Sequence, residues 1–500
     1  MTISLPVFRN GEATPLDGVP CLGIAEFRAQ ILSAVRTGYR LTALFGMPAE
    51  DAQVQLIAIL ADSVAARLIA LRAEVKDAYP CLTVECPQAH WFEREIAEQW
   101  DIEPQGHPWL KPLRFQPPYR SHHGTNSPLA GVTEFFQVHG QEVHAVAVGP
   151  VHAGIIEPGH FRFECRGERV LHLEIALGYQ HRGVEAALIG GPNKRTIHLI
   201  ETLSGDSSIG HASAYCEALE GLSASAAPAR AQILRGIALE LERIANHAGD
   251  LGALAGDVGY LPTAAYCGRI RGDILNLTAA ICGSRFGRGM LRPGGILFDV
   301  DAQLAMELSR RLEQALKDLA DATRLMWDSP SVQARFEDTG VISRDVCETL
   351  GLVGPVARAC GVERDIRLDF PSGIFRFAQI PISTCKTGDV FARAWMRWLE
   401  IERSAVFVRE QLASLPGGPP RVSLAPLRPA HLVVALSEGW RGEIAHIAIT
   451  DHAGRFAAYK VVDPSFHNWI GLAIAMRAQQ ISDFPLCNKS FNLSYCGHDL

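Results

Sequence analysis

The chain has 500 residues, of which 48% are hydrophobic and 20% are charged. This composition excludes a disordered chain, a collagen-like repeat and a small disulfide-stabilised domain. The 47 Lys and Arg residues against 54 Asp and Glu residues give a net charge of −7, so a nucleic-acid surface is not indicated.

The first hundred residues predict a small α+β domain. Short segments rich in Val, Ile and Leu indicate strands over 41–45, 54–60 and 67–73, and a helix is expected from Ala89 to Trp100. A proline-rich stretch over 103–118 then interrupts regular structure.

The polar, turn-rich segment Ser121–Leu129 is the strongest linker candidate in the sequence. We therefore place a first domain at 1–120, a linker at 121–140 and a second domain at 141–500. This division agrees with the two or three domains that the length predicts.

The second domain begins with two predicted strands, 142–148 and 170–174, which bracket a polar loop. Apolar residues then recur at the helical period over 233–245 and over 304–319, the latter behind Asp301 as a candidate N-cap. A third long helix is expected over 389–415 and a β-hairpin over 431–459. Three long amphipathic helices indicate a central helical bundle.

The 12 cysteines raise the question of a metal site, but no Cys-x-x-Cys pair occurs, and thiolate sites normally draw on such pairs. We expect most of these cysteines to be buried as small hydrophobic residues. The N-terminus lacks the pattern of an export signal, and every apolar run falls short of the roughly 18 residues of a spanning helix. The sequence therefore predicts a cytoplasmic chain that does not cross a membrane.

Nucleophile-elbow, Walker A and dinucleotide-binding motifs are missing from the sequence, so a nucleotide cofactor would belong to another subunit. Polar clusters lie instead in apolar surroundings: Glu157 and His160, His181 and Arg182, Asp206 and His211, and Arg358 and Asp365. A Glu or His in such a setting has a shifted pKa and can relay protons. The alternative, paired ions that fix loops, stays open for each cluster.

Two stretches carry a resemblance to known families. The segments Trp91-Phe92-Glu93-Arg94-Glu95 and Gly106-His107-Pro108 resemble the C subunit of NADH:quinone oxidoreductase (complex I). The stretch GPVHAGIIEPGHFRF from Gly149, the segment Leu177–Glu185 and the segment Glu240–His247 resemble the complex I D subunit and the large subunit of group 4 nickel–iron (NiFe) hydrogenases. The fused order is that of the hydrogenase-4 and formate hydrogenlyase large subunit.

The resemblance implies an α+β fold, in which a small N-terminal α+β domain precedes a NiFe-hydrogenase-large-subunit-like domain with a central helical bundle and peripheral β-structure. In those hydrogenases four cysteines hold the metals. Alignment of their motifs puts Ser204, Ser207, Ser494 and Gly497 at the four positions, with Cys496 one residue out of register. Serine does not replace thiolate at a soft metal site, so we expect no NiFe centre, no metal and no turnover of hydrogen here.

The quinone-binding pair of complex I is also missing. Its tyrosine aligns near Gly205 and its histidine near Glu157 or Pro158. Asp206, His211 and Tyr495 are the candidates to replace part of it, although a serine-rich helix N-terminus explains Asp206 equally well.

The resemblance implies a large peripheral subunit on the cytoplasmic face of the inner membrane, in a complex that couples electron transfer to proton or ion movement. The expected partners are an Fe–S small subunit, which carries the clusters, and antiporter-like membrane subunits. The chain itself is expected to hold no cofactor, and a quinone is the candidate small carrier. The candidate pocket residues are Glu157, His160, His181, Arg182, Asp206, His211, Arg358 and Asp365.

Two other hypotheses remain open at this stage. The chain is either a non-catalytic structural subunit whose polar loops preserve an interface, or a link between antiporter-like subunits and a redox-independent soluble partner.

Overall fold

The computed structural model describes residues 6–120 and 129–500, and its fold is α+β, which confirms the predicted class. Most of the predicted linker segment, Ser121–Leu129, lies outside the described residues. The domain boundaries stay predictions.

The strands of the described chain follow in order: β1 Val7–Phe8, β2 Ala13–Pro15, β3 Cys21–Leu22, β4 Arg40–Pro48, β5 Val54–Asp62, β6 Arg67–Val75, β7 Ala78–Pro80, β8 Glu103–Gln105, β9 Val143–Val148, β10 His160–Arg166, β11 Arg169–Ala176, β12 Leu291–Arg292, β13 Gly295–Ile296, β14 His431–Gly439, β15 Gly442–Thr450 and β16 Phe456–Val462. The helices are α1 Ile24–Arg36, α2 His90–Trp100, α3 Val184–Leu188, α4 Thr196–Ile200, α5 Ser208–Leu222, α6 Ala229–Asp257, α7 Leu261–Cys282, α8 Ala302–Trp327, α9 Pro330–Phe336, α10 Arg344–Leu350, α11 Gly354–Ala359, α12 Ile366–Asp369, α13 Val390–Ala413, α14 Pro464–Ala475, α15 Phe484–Phe491 and α16 Tyr495–Asp499.

The N-terminal part is a sheet in the order β1-β6-β5-β4, with β3 paired to β6. The three strands and the helix predicted here are confirmed as β4, β5, β6 and α2. Helix α1 was not predicted. It packs against β6 through a face that buries Phe27, Ile31 and Leu32.

A second sheet has the order β11-β10-β9. The expectation that His160 and Arg162 lie in a loop is wrong, because both belong to β10. The sequence signal for this strand is an alternation. Phe161 and Phe163 are 0% exposed, and the polar residues His160 and Arg162 between and before them stay half-buried.

A third sheet has the order β16-β15-β14-β2. The hairpin predicted over 431–459 is confirmed as β14 and β15, and β16 extends it. Strand β2 comes from the N-terminal part of the chain and pairs with β14. The sheet is therefore built from both ends of the sequence.

The helical core consists of α6, α7, α8 and α13, with α6 packed against both α7 and α13. The predicted N-cap is confirmed, since the Asp301 side chain accepts a hydrogen bond of 2.7 Å from the Leu304 backbone N–H. Asp389 caps α13 in the same way, at 2.8 Å from the Ala392 N–H. Each cap satisfies a backbone donor that the helix itself leaves free.

All twelve cysteines are free and nine of them are buried, as expected from the sequence. Within residues 6–120 and 129–500, no helix is both long enough and apolar enough to cross a membrane.

Buried ion pairs join the N-terminal sheet to the rest of the fold. Arg40 on β4 binds both carboxylate oxygens of Glu443 on β15, and the side chains are only 2% and 3% exposed. Lys460 on β16 lies 2.5 Å from Glu95 on α2, which also binds Arg114. Such pairs fix the relative position of the two parts because neither partner can be buried alone.

We predict that Glu443→Gln destabilises the protein by about 3 kcal/mol, since it leaves the Arg40 charge buried without its partner. The free energy of unfolding in denaturant measures the effect. The double variant Arg40→Met/Glu443→Leu is the matched control and should recover part of the loss. A loss of stability in the double variant as large as that of Glu443→Gln, or larger, would contradict this account.

Candidate functional site

Three segments of the second domain meet at one buried point, which we call the serine centre and define as Ser204, Ser207, Ser494 and Gly497. The first two precede or begin α5, and the last two begin α16. The Ser204 and Ser494 hydroxyls lie 2.9 Å apart, and Gly497 N–H donates to Ser494 Oγ at 2.9 Å. Positions 290 residues apart in sequence therefore converge, as the aligned motifs required.

Helix α5 is held in place at its first turn. Glu242 on α6 accepts hydrogen bonds from the backbone N–H groups of Ile209 at 2.7 Å and Gly210 at 3.1 Å. The carboxyl group thereby meets the positive end of the helix dipole, although burial raises the pKa of Glu242 to about 8. Asn246 on α6 donates to the Asp206 carbonyl at 2.9 Å, which fixes the turn just before the helix.

The third segment is the turn between β14 and β15, which brings Arg441 into the serine centre. Its guanidinium binds both oxygens of Asp206, at 2.5 and 2.8 Å, and lies 3.4 Å from Ser204 Oγ and 3.3 Å from Ser207 Oγ. It also stacks on the ring of Trp440 at 3.9 Å. Burial alone would raise the pKa of Asp206, but the Arg441 charge outweighs it and lowers the pKa below its ordinary value.

The Arg441 turn is held by close backbone packing on α11. Gly442 has φ 131°, and a Cβ there would lie 2.7 Å from Gly354 Cα. Only glycine fits this approach and this conformation.

These residues do not fit a NiFe centre. The four aligned ligand positions present three serine hydroxyls and a glycine in place of thiolates, with the Arg441 guanidinium beside two of the hydroxyls, and a soft metal ion is not held by such groups. The fourth position also has no room, because a Cβ on Gly497 would lie 2.6 Å from Asp463 Cγ. We therefore derive no chemistry through such a metal.

A chain of buried hydrogen bonds leads away from the serine centre. Asp463 lies 3.1 Å from His211 Nε2, His211 Nδ1 lies 3.1 Å from His446 Nε2, and His446 Nδ1 lies 2.8 Å from the Tyr459 hydroxyl. With both imidazoles neutral, one arrangement satisfies every bond: each group donates toward Asp463. Burial, and then the neighbouring His211, keep the pKa of His446 well below its ordinary value, which agrees with a neutral ring.

Glu157 approaches the serine centre from the loop between β9 and β10. Burial, followed by the charge of Glu157 and its hydrogen bond with the thiol, raises the pKa of Cys496 to about 11. Cys496 Sγ lies 3.3 Å from Ser494 Oγ, so Glu157 and Ser494 are both in contact with this thiol. Glu157 is half-buried and is the carboxyl that links the centre to the surface.

Three other predicted site residues lie beside the centre and hold the chain around it. The His160 ring packs on Phe135, and burial lowers the pKa of His160. His181 Nδ1 lies 2.8 Å from the Asp499 carbonyl, and Arg182 donates to the carbonyls before Ser204. The contacts of His181 and Arg182 fix the C-terminal residues and the segment that leads to the serine centre.

Arg358 and Asp365 belong to a second cluster, which we call the ion network. Three guanidinium groups meet four carboxyl groups there: Arg243, Arg358 and Arg367 with Glu240, Asp365, Glu400 and Glu438. Arg358 is 1% exposed and lies 2.8 Å from both Glu400 and Glu438. The described residues of this network thus carry one more potential negative charge than positive charges.

One proton resolves the imbalance in the ion network, because an unpaired buried charge is costly. Burial, followed by the Asp365 charge, raises the pKa of Glu438 to about 7. The Arg358 charge, followed by the hydrogen bond with His247, holds the pKa of Glu400 well below its ordinary value against the effect of burial. Of the four carboxyl groups, Glu438 is the one whose pKa is raised, whereas the pKa values of Glu240, Asp365 and Glu400 are lowered. His247, 2.9 Å from Glu400, has its pKa lowered by burial.

The ion network lies directly behind the turn that carries Arg441. Arg243 donates to the carbonyls of Glu438 at 2.6 Å and Gly439 at 3.0 Å. Trp440, the next residue, donates to the Asp206 carbonyl at 2.9 Å. Only the end of β14 and the turn after it therefore lie between the ion network and the serine centre.

Sequence reasoning missed several of these residues. The sequence singles out neither Arg441 nor Asp463 as a site residue. Local spacing gives no signal for His446, Glu400 or Glu438, because their partners lie 13 to 235 residues away along the chain.

Two stretches of the chain match families of known proteins. Residues 257–431 match the 49 Kd subunit of respiratory-chain NADH dehydrogenase, and residues 26–129 match its 30 Kd subunit.

Individual relatives extend these matches over most of the chain. The carbon monoxide-induced hydrogenase of Rhodospirillum rubrum is 32% identical over 70% of this chain and 97% of its own length. Formate hydrogenlyase subunit 5 of Escherichia coli (strain K12) is 28% identical over 85% of this chain and 78% of its own length. NADH-quinone oxidoreductase subunit 4 of Thermus thermophilus is 29% identical over 68% of this chain and 90% of its own length.

We predict that Gly497→Ala destabilises the protein by about 2 kcal/mol, because the added Cβ is forced against the Asp463 carboxyl. Thermal or denaturant unfolding measures it. Gly268→Ala in α7 is the matched control, since its Cβ meets nothing within 4 Å; it should stabilise by about 0.5 kcal/mol. An unchanged stability of Gly497→Ala would show that a side chain fits at this position.

A second prediction concerns acid. Burial would raise the pKa of Asp463, but its hydrogen bond from His211 and the Arg441 charge lower it. The ionised carboxyl therefore stabilises the fold above its unfolded pKa of about 3.9, and this contribution is lost as pH falls through the lower folded pKa. Asp463→Asn should cost about 2 kcal/mol at neutral pH, and the difference from the parent protein should narrow below about pH 4.

The measurement for Asp463→Asn is the free energy of unfolding as a function of pH. The exposed Asp321→Asn is the control and should stay within about 0.5 kcal/mol of the parent protein throughout. A gap between Asp463→Asn and the parent that stays constant from neutral pH to strongly acid pH would contradict the role of the charge.

Proposed function

Because the chain belongs to the family that contains the 49 Kd subunits of respiratory-chain NADH dehydrogenases and the group 4 hydrogenase large subunits, we propose that it is the large peripheral subunit of a membrane-associated oxidoreductase complex. In this proposal the complex couples electron transfer to proton or ion movement without a NiFe centre in this chain. The observation that carries the proposal is the pair of buried ionisable clusters that share the Arg441 turn.

The coupling follows from electrostatics. A change of charge at the serine centre acts on buried neighbours in a medium that screens it far less than water does. Asp206 and Arg441 form the pair closest to such a change, and Glu438 is the carboxyl in the ion network whose pKa of about 7 leaves it ready to gain or lose a proton. Reduction or oxidation beside the centre thereby alters proton occupancy within the protein.

The proposed redox partners lie outside this chain. An Fe–S small subunit supplies electrons, and a quinone or another small carrier accepts them next to Glu157 and Cys496. Asp206 and His211 already have partners among the described residues, so neither of these two candidates offers a free quinone-binding group. Tyr495 is buried, and its ring packs edge-on against Trp469. Glu157, half-buried at the mouth of the centre, is the proposed proton-carrying residue.

We further propose that the membrane partners are antiporter-like subunits and that the chain docks on the cytoplasmic face of the inner membrane. Membership in the family supports membrane partners in general. The proposal would put the proton-carrying groups of this chain next to the membrane arm.

A second candidate function is that of a non-catalytic structural subunit. The mutual pairing of the polar groups at the serine centre favours it, because Ser204 with Ser494 and Asp206 with Arg441 leave few groups free for a substrate. The same pairing would also serve a redox-independent complex that links antiporter-like subunits to another soluble partner.

The two functions differ in the effect of Glu157→Gln. We predict that this change lowers proton-coupled electron transfer in native membranes by about 100-fold, while the complex still assembles, because the amide cannot carry the proton. Glu142→Gln is the matched control, since Glu142 is exposed and contacts only Arg166 among the described side chains. The readouts are proton uptake by membrane vesicles and assembly on native gels.

Unchanged turnover in an assembled Glu157→Gln complex would favour the structural subunit. The metal content of the purified complex is an independent check. Iron and acid-labile sulfide should copurify with the partner subunit, and stoichiometric nickel would contradict the proposed function.

A further inference from the structure

A cavity of about 580 Å³ lies on the side of α5 that faces α6, away from the serine centre. Its walls come from α5, α6, the end of β14 and the segment Ser372–Phe377. Two of its lining residues, Glu438 and Arg367, are members of the ion network. The cavity therefore reaches from the surface to the network.

The α5 wall of the cavity carries two buried polar atoms that lack partners. Within the described part of the chain, neither Ser213 Oγ nor Glu217 Oε2 has a hydrogen-bond partner, although Ser213 is only 6% exposed. The two residues lie four apart on α5, so they share one face of the helix. Because buried polar groups in proteins are almost always satisfied, and because the cavity has room and polar walls, water is the partner that fits.

The other charged groups of the cavity are already paired. Glu220 binds Arg235 at 2.6 Å, and Arg367 binds Asp365 at 2.6 Å. Arg376, on the segment opposite α5, donates to the Pro371 carbonyl at 3.3 Å. Among the described residues, Glu217 accepts a side-chain hydrogen bond from Ser372 alone, at 2.8 Å, and burial raises the pKa of Glu217 to about 7.

We propose that this cavity, which we call the α5–α6 inlet, is a water-filled entrance through which protons pass from the surface of the chain by way of Ser213 and Glu217 to Glu438. Its role is to supply the one proton that balances the ion network. The proton moves between carboxyl groups and water, and no bond other than O–H forms or breaks. The inference rests on the proposed function only for the use made of that proton.

The experiment uses the purified full-length chain, without electron donor or membrane. Infrared spectroscopy at pH 6 follows the carboxyl C=O band that disappears in Glu438→Gln, and transfer to D₂O exchanges its proton. We expect exchange within the mixing time in the parent protein. Ala226→Trp, which narrows the mouth at an exposed lining residue, should slow it at least about tenfold.

Ala229→Trp is the matched control. Ala229 is equally exposed, lies three residues further along and does not line the cavity, so its exchange rate should equal that of the parent protein. Equal rates in the parent protein and Ala226→Trp, or no band assignable to Glu438, would overturn the inlet.

A second measurement does not depend on substitution of Glu438. Ser213→Cys should react with a small hydrophilic methanethiosulfonate at least about tenfold faster than Ser404→Cys, because Ser404 is also buried but lies beside Glu240 and outside the cavity. Intact mass relative to the parent protein corrects for the native cysteines. Equal labelling would show that the cavity is closed to water.

Failure of these tests and failure of the proposed function are distinguishable. The exchange and labelling readouts report water access whether or not the complex transfers electrons. Loss of electron transfer with rapid exchange would leave the inlet in place and overturn only the proposed function.

Discussion

Charge balance in a dry interior is the constraint on which the second domain depends. Arg358 contacts Glu400, Glu438 and Asp365, which lie on α13, on β14 and just before α12, so a shift of any of these elements would leave a charge unpaired. Such a shift would cost several kcal/mol. The same constraint applies at Arg441, where Asp206 supplies the counter-charge.

The same constraint applies to the serine centre. Its hydroxyls are neutral, so the centre holds no excess negative charge that a cation would have to balance. The Arg441–Asp206 pair adds no net charge. The polar groups of the serine centre are therefore satisfied by one another, and Glu157 and the thiol of Cys496 lie beside them.

Periodicity and capping chemistry are local, and the features that depend on them were predictable. The caps at Asp301 and Asp389 and the hairpin of β14 and β15 follow from neighbouring residues. Strand β10 was not predicted, because His160 and Arg162, which alternate with the two buried phenylalanines, make the segment appear polar. The ion network was out of reach for a different reason: Arg358 and Glu438 are 80 residues apart, and nothing near either residue specifies the other.

The convergence of Ser204 and Ser494 was predictable only through the resemblance, since their separation of 290 residues has no local signature. The position of Arg441 beside these serines was not predictable, because an arginine before a glycine is consistent with any surface turn. The ion network has one more carboxyl group than guanidinium groups, and this difference is likewise visible only in the three-dimensional structure.

Strand β2 ties the beginning of the chain to a sheet formed by its end. It precedes the N-terminal sheet in sequence, yet its three residues complete the sheet of β14, β15 and β16. If a cut separated the two parts between residues 120 and 141, the first polypeptide would still contribute a strand to the second. The halves would then associate by β-strand addition, as a peptide does at an open sheet edge. During synthesis, β2 has no partner strand until residues 431–433 have left the ribosome, so one of the first strands of the chain is among the last to pair.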